Sequence, residues 1–388
     1  MTDFDSITLE MAQAFPSRKW NYYERDVIPS WIADMDFPVA DPIRSFIQSI
    51  ADSGDLCYSA YEGGTTVREL FAARMASRYG WHPDPADMDH MVDIVQCFYL
   101  ALKVLCNDGE KAIVSMPSYH PILVACRDMQ REIVPSPLVA VDGNWEVDFE
   151  RLNSDLDPAV KVLLLVNPHN PTGRCFRRDE LESFADIALR HDLYVVSDEV
   201  HCDLVFSDAG LHIPFASLGP EIAERTVTFS SATKSHNLGG VRFCLTHYGS
   251  PALRKLFDRF PGRFRGGENL IGNRATQIAW ESCDDWLEEV VSYLEGNRDF
   301  LADYLRSKLP ALQHLPNEAT YLAWIDCGGL GLGEDPAQFL LREARVGCYS
   351  GREFGTRNDC IRLNFATSRQ ILEEKLDRIR GAVERISD

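Results

Sequence analysis

Four short runs limit what this chain can fold into: KAIVSM (111–116), VKVLLLV (160–166), LYVVSD (193–198) and TVTFSS (226–231). Each is nearly all apolar, the pattern of a strand covered on both faces. Helical patterns lie between them. In RRDELESFADIALRHD the apolar side chains recur at Leu181, Phe184, Ile187 and Ala188, with His191 one turn on. Alternation of this kind predicts an α/β domain built on a mostly parallel sheet. Such sheets bind ligands beyond the carboxyl ends of their strands, so the residues directly after each run carry the most information.

At 388 residues the chain exceeds one ordinary core, and two domains are expected. From Asp284 the pattern changes: DDWLEEVVSYLEGNRDFLADYLRSKL reads as one long amphipathic helix leading out of the sheet domain. TYLAWIDC and CIRLNFA then read as strands of a smaller α+β domain, closed by the helix RQILEEKLDRIRGAVERI. The expected division is an N-terminal arm or small-domain part over 1–50, a large domain over 51–284 and a small domain over 285–388.

A net charge of −20 argues against a nucleic-acid partner or an anionic membrane surface. The start, MTDFDSITLEMAQAF, lacks the basic and apolar regions of a secretory signal, and no apolar run is long enough to cross a membrane. Eleven cysteines without a CxxC pair suggest reduced thiols in a cytoplasmic protein. No His/Cys/carboxylate cluster has metal-ligand spacing, so no metal site is expected.

Four polar segments follow apolar runs. VNPHNPTG follows the run ending at Val166, SDEVHCDL the run at 193–197, SSATK the run at 226–230, and IRLNF lies near the C-terminus. Singly, each has an ordinary explanation: a proline-rich turn, a helix N-cap, a solvated loop lysine, a surface arginine. Their order and shared placement at strand ends make one site the better explanation.

Together these segments resemble a fold-type-I pyridoxal-phosphate enzyme of the class I/II aminotransferase superfamily, over essentially the whole length. Within it the chain is most similar to the MalY/PatB-type, cystathionine β-lyase-like carbon–sulfur lyases. The marks of that subfamily are WIADMDFPV (31–39), SDEVHCDLVF with histidine at 201, and TYLAWIDC (320–327). The resemblance implies an aspartate aminotransferase-like large domain and a pyridoxal 5′-phosphate cofactor.

It also implies roles, residue by residue. The Lys234 amine condenses with the cofactor aldehyde, and desolvation frees that amine as nucleophile and base. Asp198 faces the pyridine nitrogen and keeps it protonated. Asn170 donates to the cofactor phenolate oxygen, His201 faces the ring one helical turn after Asp198, and Tyr119 in MPSYHP stacks on the ring. Ser231 and Arg242 bracket Lys234 as phosphate ligands, with the backbone amides of Gln96 and Cys97 at the start of a helix. Small residues before Lys234 let the backbone approach the phosphate, and the glycines after it turn the chain away. Arg362 grips the substrate carboxylate. Tyr58 in LCYSAY crosses to a neighbouring subunit, which implies a homodimer with shared active sites.

The implied reaction is α,β-elimination from a cysteine S-conjugate such as cystathionine, giving a thiol, pyruvate and ammonia. Three departures from the lyase pattern stand out: the K-x7-R spacing of Lys234 and Arg242, His236 in place of phenylalanine, and RGGENLIGNRAT (265–276). The last two suggest a reshaped substrate side. Transamination, decarboxylation-linked oxidative deamination of a cysteine conjugate, and a non-catalytic binding protein are the alternatives.

Overall fold

Short apolar runs flanked by turn residues become strands in the computed structural model, which describes residues 3–57, 65–356 and 359–387. A two-residue strand, β1 (Ile28–Pro29), comes first. Then follow β2 (Met88–Met91), β3 (Lys111–Met116), β4 (Glu132–Val141), β5 (Asn144–Val147), β6 (Val160–Val166), β7 (Tyr194–Asp198), β8 (Thr226–Ser230) and β9 (Cys244–Tyr248). These eight form one sheet in the order β2-β9-β8-β7-β6-β3-β4-β5. The pairings from β4 through β3, β6 and β7 to β8 are parallel, while β9, β2 and β5 join antiparallel.

Both faces of the central strands are covered, which explains their unbroken apolar character. Val162, Leu164 and Val166 of β6 point into a core shared with Phe98 and Leu102 of the helix Ile94–Leu105. Leu163 and Leu165 point the other way, onto Leu181, Phe184, Ile187 and Ala188 of the helix Arg178–Arg190. His191, expected on that same stripe, caps the helix C-terminus instead and is exposed. After β3 the chain moves out to β4, then returns across β3 to β6 and onward to β7 and β8. The ends of β3 and β6 therefore border the reversal where open α/β sheets form their crevice.

The remaining strands are β10 (Gln313–His314), β11 (Leu322–Asp326), β12 (Val346–Gly347), β13 (Tyr349–Ser350) and β14 (Cys360–Asn364). β10, β11, β14 and β13 make a four-stranded antiparallel sheet, and β12 pairs with β1. Its core takes Leu287, Leu294 and Leu301 from the helix Asp284–Lys308 and Leu372 and Leu376 from the helix Arg369–Ser387. Phe4, Met35 and Phe37 belong to this core, whereas Ala40 and Ile43 pack with Phe71, Ala279 and Trp280. The N-terminal segment thus changes partner between Phe37 and Ala40, not at residue 50.

Candidate active site

A cleft of about 860 Å³ opens beyond the carboxyl ends of the central strands, and Lys234, Arg362, Tyr119, Arg242, Asp34 and Asp93 all line it. Lys234 reaches it from the turn after β8. Ser231 shapes that turn: its Oγ accepts from Thr233 N at 3.1 Å and donates to Phe243 O at 2.5 Å. The left-handed residues that swing the chain away are Asn237 (φ 56°) and Arg242 (φ 47°), not the glycines at 239 and 240. At Gly239 a Cβ would lie 3.0 Å from Asp34 Oδ1, a tight approach.

The segment 31–37 ties the site together through its backbone. Lys234 Nζ donates to Ala33 O at 3.0 Å, and Tyr321 OH donates to the same oxygen at 3.0 Å. Arg362 Nη2 donates to Trp31 O at 2.6 Å. Asn237 anchors the segment from the Lys234 side by bonding Met35 and Phe37, and Asn364 of β14 takes Ile32 O and Asp34 O, each at 2.7 Å. Sequence reading marked WIADMDFPV as a motif without giving it a task. Its task is to offer carbonyls to Lys234 and Arg362, two of the cations that line the cleft.

Lys234 opens partly to the cleft but is enclosed elsewhere, and that burial lowers its pKa. The acids Asp34 and Asp198 oppose the shift and Arg362 reinforces it. Asp198, at the end of β7, is buried, and burial pushes its carboxyl up to about 7. Its Oδ1 accepts one hydrogen bond, from Val200 N at 3.2 Å. His201 is buried with no hydrogen bond at Nδ1, and desolvation holds its ring neutral, with a pKa down to about 3. Tyr119 stands at the N-cap of the helix His120–Asp128, and burial with the nearby Asp198 charge raises its phenol pKa.

Asn170 and Arg362 meet directly: Arg362 Nη1 donates to Asn170 Oδ1 at 3.1 Å. The guanidinium lies 4.9 Å from the Tyr349 ring and 5.0 Å from the Phe354 ring, buried enough for its pKa to fall to about 10. Its Nε has no partner.

The anion end differs from expectation. The helix begins at Ile94 with Asp93 as N-cap, so Gln96 N already donates to Asp93 Oδ1 at 2.9 Å and Cys97 N to Asp93 O at 3.2 Å. Neither of those amides is available to a phosphate. The first-turn amides at Ile94 and Val95 are the ones with no intrahelical partner, and both residues line the cleft. The signal for this was Asp93, a strong N-cap residue just before the apolar run. Asp93 also pairs with Arg242, whose exposed side chain lines the cleft from the other side. Tyr58 lies outside the described residues.

Two departures fall elsewhere. His236 is buried, bonded through Nδ1 to Ser235 Oγ at 2.9 Å and stacked on Trp286, and it does not line the cleft. Leu270, Asn273 and Arg274 of the 265–276 segment line a second cavity of about 560 Å³. Within this chain, then, neither departure lines the cleft.

The donor set fits pyridoxal 5′-phosphate. A buried carboxyl with a single hydrogen bond suits a protonated ring nitrogen, which would relieve its burial. An unpartnered buried histidine, a lysine with lowered pKa, an arginine and two first-turn amides supply the remaining contacts.

The aminotransferase class I and II family model matches residues 34–379. Cystathionine beta-lyase PatB of Bacillus subtilis is 30% identical over 362 residues, covering 92% of this chain and 93% of that protein. Among solved structures, OvoB is 36% identical with a TM-score of 0.89, covering 95% of this chain and 96% of its own. The pyridoxal-phosphate-bound C–S lyase from Staphylococcus hominis is 29% identical with a TM-score of 0.91, covering 98% and 99%. This chain belongs to the class I and II aminotransferase family.

Proposed function

We propose that the protein is a pyridoxal 5′-phosphate-dependent carbon–sulfur β-lyase. A cysteine thioether and one water give a free thiol, pyruvate and ammonium. The bound cofactor would act as sink for the electron pair left when the α-proton departs. Lys234 Nζ takes that proton from Cα, a role that its lowered pKa favours. Arg362 holds the α-carboxylate with a two-pronged, charge-assisted contact and so fixes which Cα bond faces the base. Asp198 would keep a proton on the ring nitrogen, Asn170, held through its oxygen by Arg362, would donate its amide to the phenolate oxygen, and Tyr119 would cover one ring face.

One observation carries this reading. The base and the carboxylate-binding arginine are held by Ala33 O and Trp31 O, two carbonyls of one short segment, and so face the same cleft. The cystathionine β-lyase relatives favour elimination over transamination. Arg242, whose spacing suggested an aminotransferase, is engaged by Asp93.

The same reading makes the enzyme a homodimer working in a reducing, cytoplasmic setting. The largely exposed Phe264 and Leu56 support a partner surface, and eleven free cysteines support the compartment. The test is a screen of cysteine S-conjugates for thiol and pyruvate. Release of both in equal amounts supports the lyase; conversion to the pyridoxamine form with an amino acid and keto-acid pair supports the aminotransferase instead.

A further inference from the structure

One cation of the cleft has no task in the elimination. Arg18 lies on the lip of the cleft, exposed, its guanidinium 5.6 Å from the Trp31 ring and 6.0 Å from the Tyr22 ring. Among the described residues it makes no ion pair and no hydrogen bond. Exposed Arg242, Arg306 and Arg342, by contrast, each hold an acid. Stacking on aromatic faces fixes the plane of a guanidinium and leaves its N–H edge free. A free edge of that kind matches a carboxylate.

Arg18 and Arg362 stand at opposite ends of an aromatic floor. Arg362 lies 4.9 Å from the Tyr349 ring, Tyr349 packs edge-on against Trp31 at 5.5 Å, and Trp31 carries Arg18. His120 flanks the floor 5.4 Å from Tyr349, held neutral by burial and with Nδ1 unpartnered. Of the two rings, Tyr349 lines the cleft and Trp31 is buried behind it, so a ligand bound along Tyr349 meets a cation, a ring and a second cation.

Resting on the lyase reading, we propose that Arg18 is a specificity residue that pairs with a carboxylate at the far end of the sulfur substituent. Tyr349, which lines the cleft, takes the apolar stretch between the sulfur and that carboxylate, with the buried Trp31 behind it. The surrounding negative charge would otherwise repel an anionic substituent, and a local cation offsets that repulsion. An exposed ion pair is modest, so the expected preference is about fivefold.

The test uses holoenzyme, wild type and Arg18→Gln, with S-(3-carboxypropyl)-L-cysteine and its uncharged carboxamide. The expected result is a KM for the acid at least fivefold below that for the amide in the wild type. Arg18→Gln should raise the acid's KM to the amide's, with kcat moving less than twofold, and Arg18→Lys should restore part of the preference. Added salt should shrink it. No preference in the wild type, or an equal effect of Arg18→Gln on both conjugates, overturns the proposal, including when that equal effect accompanies altered subunit assembly. Should neither conjugate be cleaved, the lyase reading fails separately. Calorimetric binding of the same two ligands then decides on Arg18: fivefold weaker binding of the acid alone to Arg18→Gln supports the proposal, and equal binding overturns it.

Discussion

Burial lowers the pKa of the Lys234 ammonium, Asp34 and Asp198 pull it back up, and Arg362 pushes it down again. The balance depends on neighbours that also bind, so single substitutions should separate the two duties. Arg362→Ala removes the carboxylate contact and the bond to Asn170; losing one partner of a buried, charge-assisted pair costs roughly 2–5 kcal/mol. The expected result is a fall in kcat/KM of about a hundredfold or more, expressed mainly in KM, and an unchanged KM would assign the carboxylate to another group. At the anion end, Asp93 places a carboxylate beside Arg242 and the first-turn amides. Asp93→Asn removes that charge while keeping a capping side chain. Fluorescence titration of the cofactor-free protein should show cofactor binding tighter by about fivefold at low salt. Weaker binding would mean that Asp93 is needed to position Arg242.

At the scale of elements, the segment 31–37 joins the Lys234 turn to the small sheet, and a buried charge cluster pins its end. Asp36 pairs with Lys19 at 3.0 Å and accepts from Trp20 Nε1 at 2.7 Å, while Lys375, wholly buried, has its pKa brought down to about 7 by desolvation and then by Lys19. Asp36→Ala would leave two buried lysines without an acid, a loss of about 3–5 kcal/mol that a denaturant midpoint would read. An unchanged midpoint would show that the lysines are solvated or neutral. The strands and the strand-end residues were legible in the sequence because a doubly covered strand has a distinctive apolar signature and its chemistry follows directly after it. The segment 31–37 was not, since its contribution is made by backbone carbonyls, which no residue type announces. The free first-turn amides were misplaced by two residues because the apolar run in VQCFYLALKVL was read as the start of the helix, whereas the Asp93 cap sets it at Ile94. The change of packing partner near residue 40 was hidden because both cores draw on the same aromatic-rich segment.

At the scale of the whole molecule, six histidines are held neutral by burial: His169 and His201 down to about 3, and His120, His236, His247 and His314 down to about 4. Their folded pKa values lie below the ordinary 6.5, so the unfolded chain binds more protons as pH falls from 6.5 toward 4. Stability is therefore full above about pH 6.5 and declines below it. Asp198, raised to about 7, and Glu180, raised by burial, act in the opposite sense, losing stability as pH rises above the ordinary carboxyl range, but they are two groups against six. The melting temperature of the cofactor-free protein should fall steadily between pH 7 and pH 5; a flat profile would mean that the histidines are hydrated. The whole account depends on which amine holds the cofactor, and the chain offers two buried candidates with depressed pKa, Lys234 and Lys375. Reducing the cofactor-loaded protein with borohydride and sequencing the labelled peptide by mass spectrometry decides between them. The account predicts a single label on Lys234, lost in Lys234→Ala together with visible absorbance. A label on Lys375, or one that survives Lys234→Ala, would contradict it.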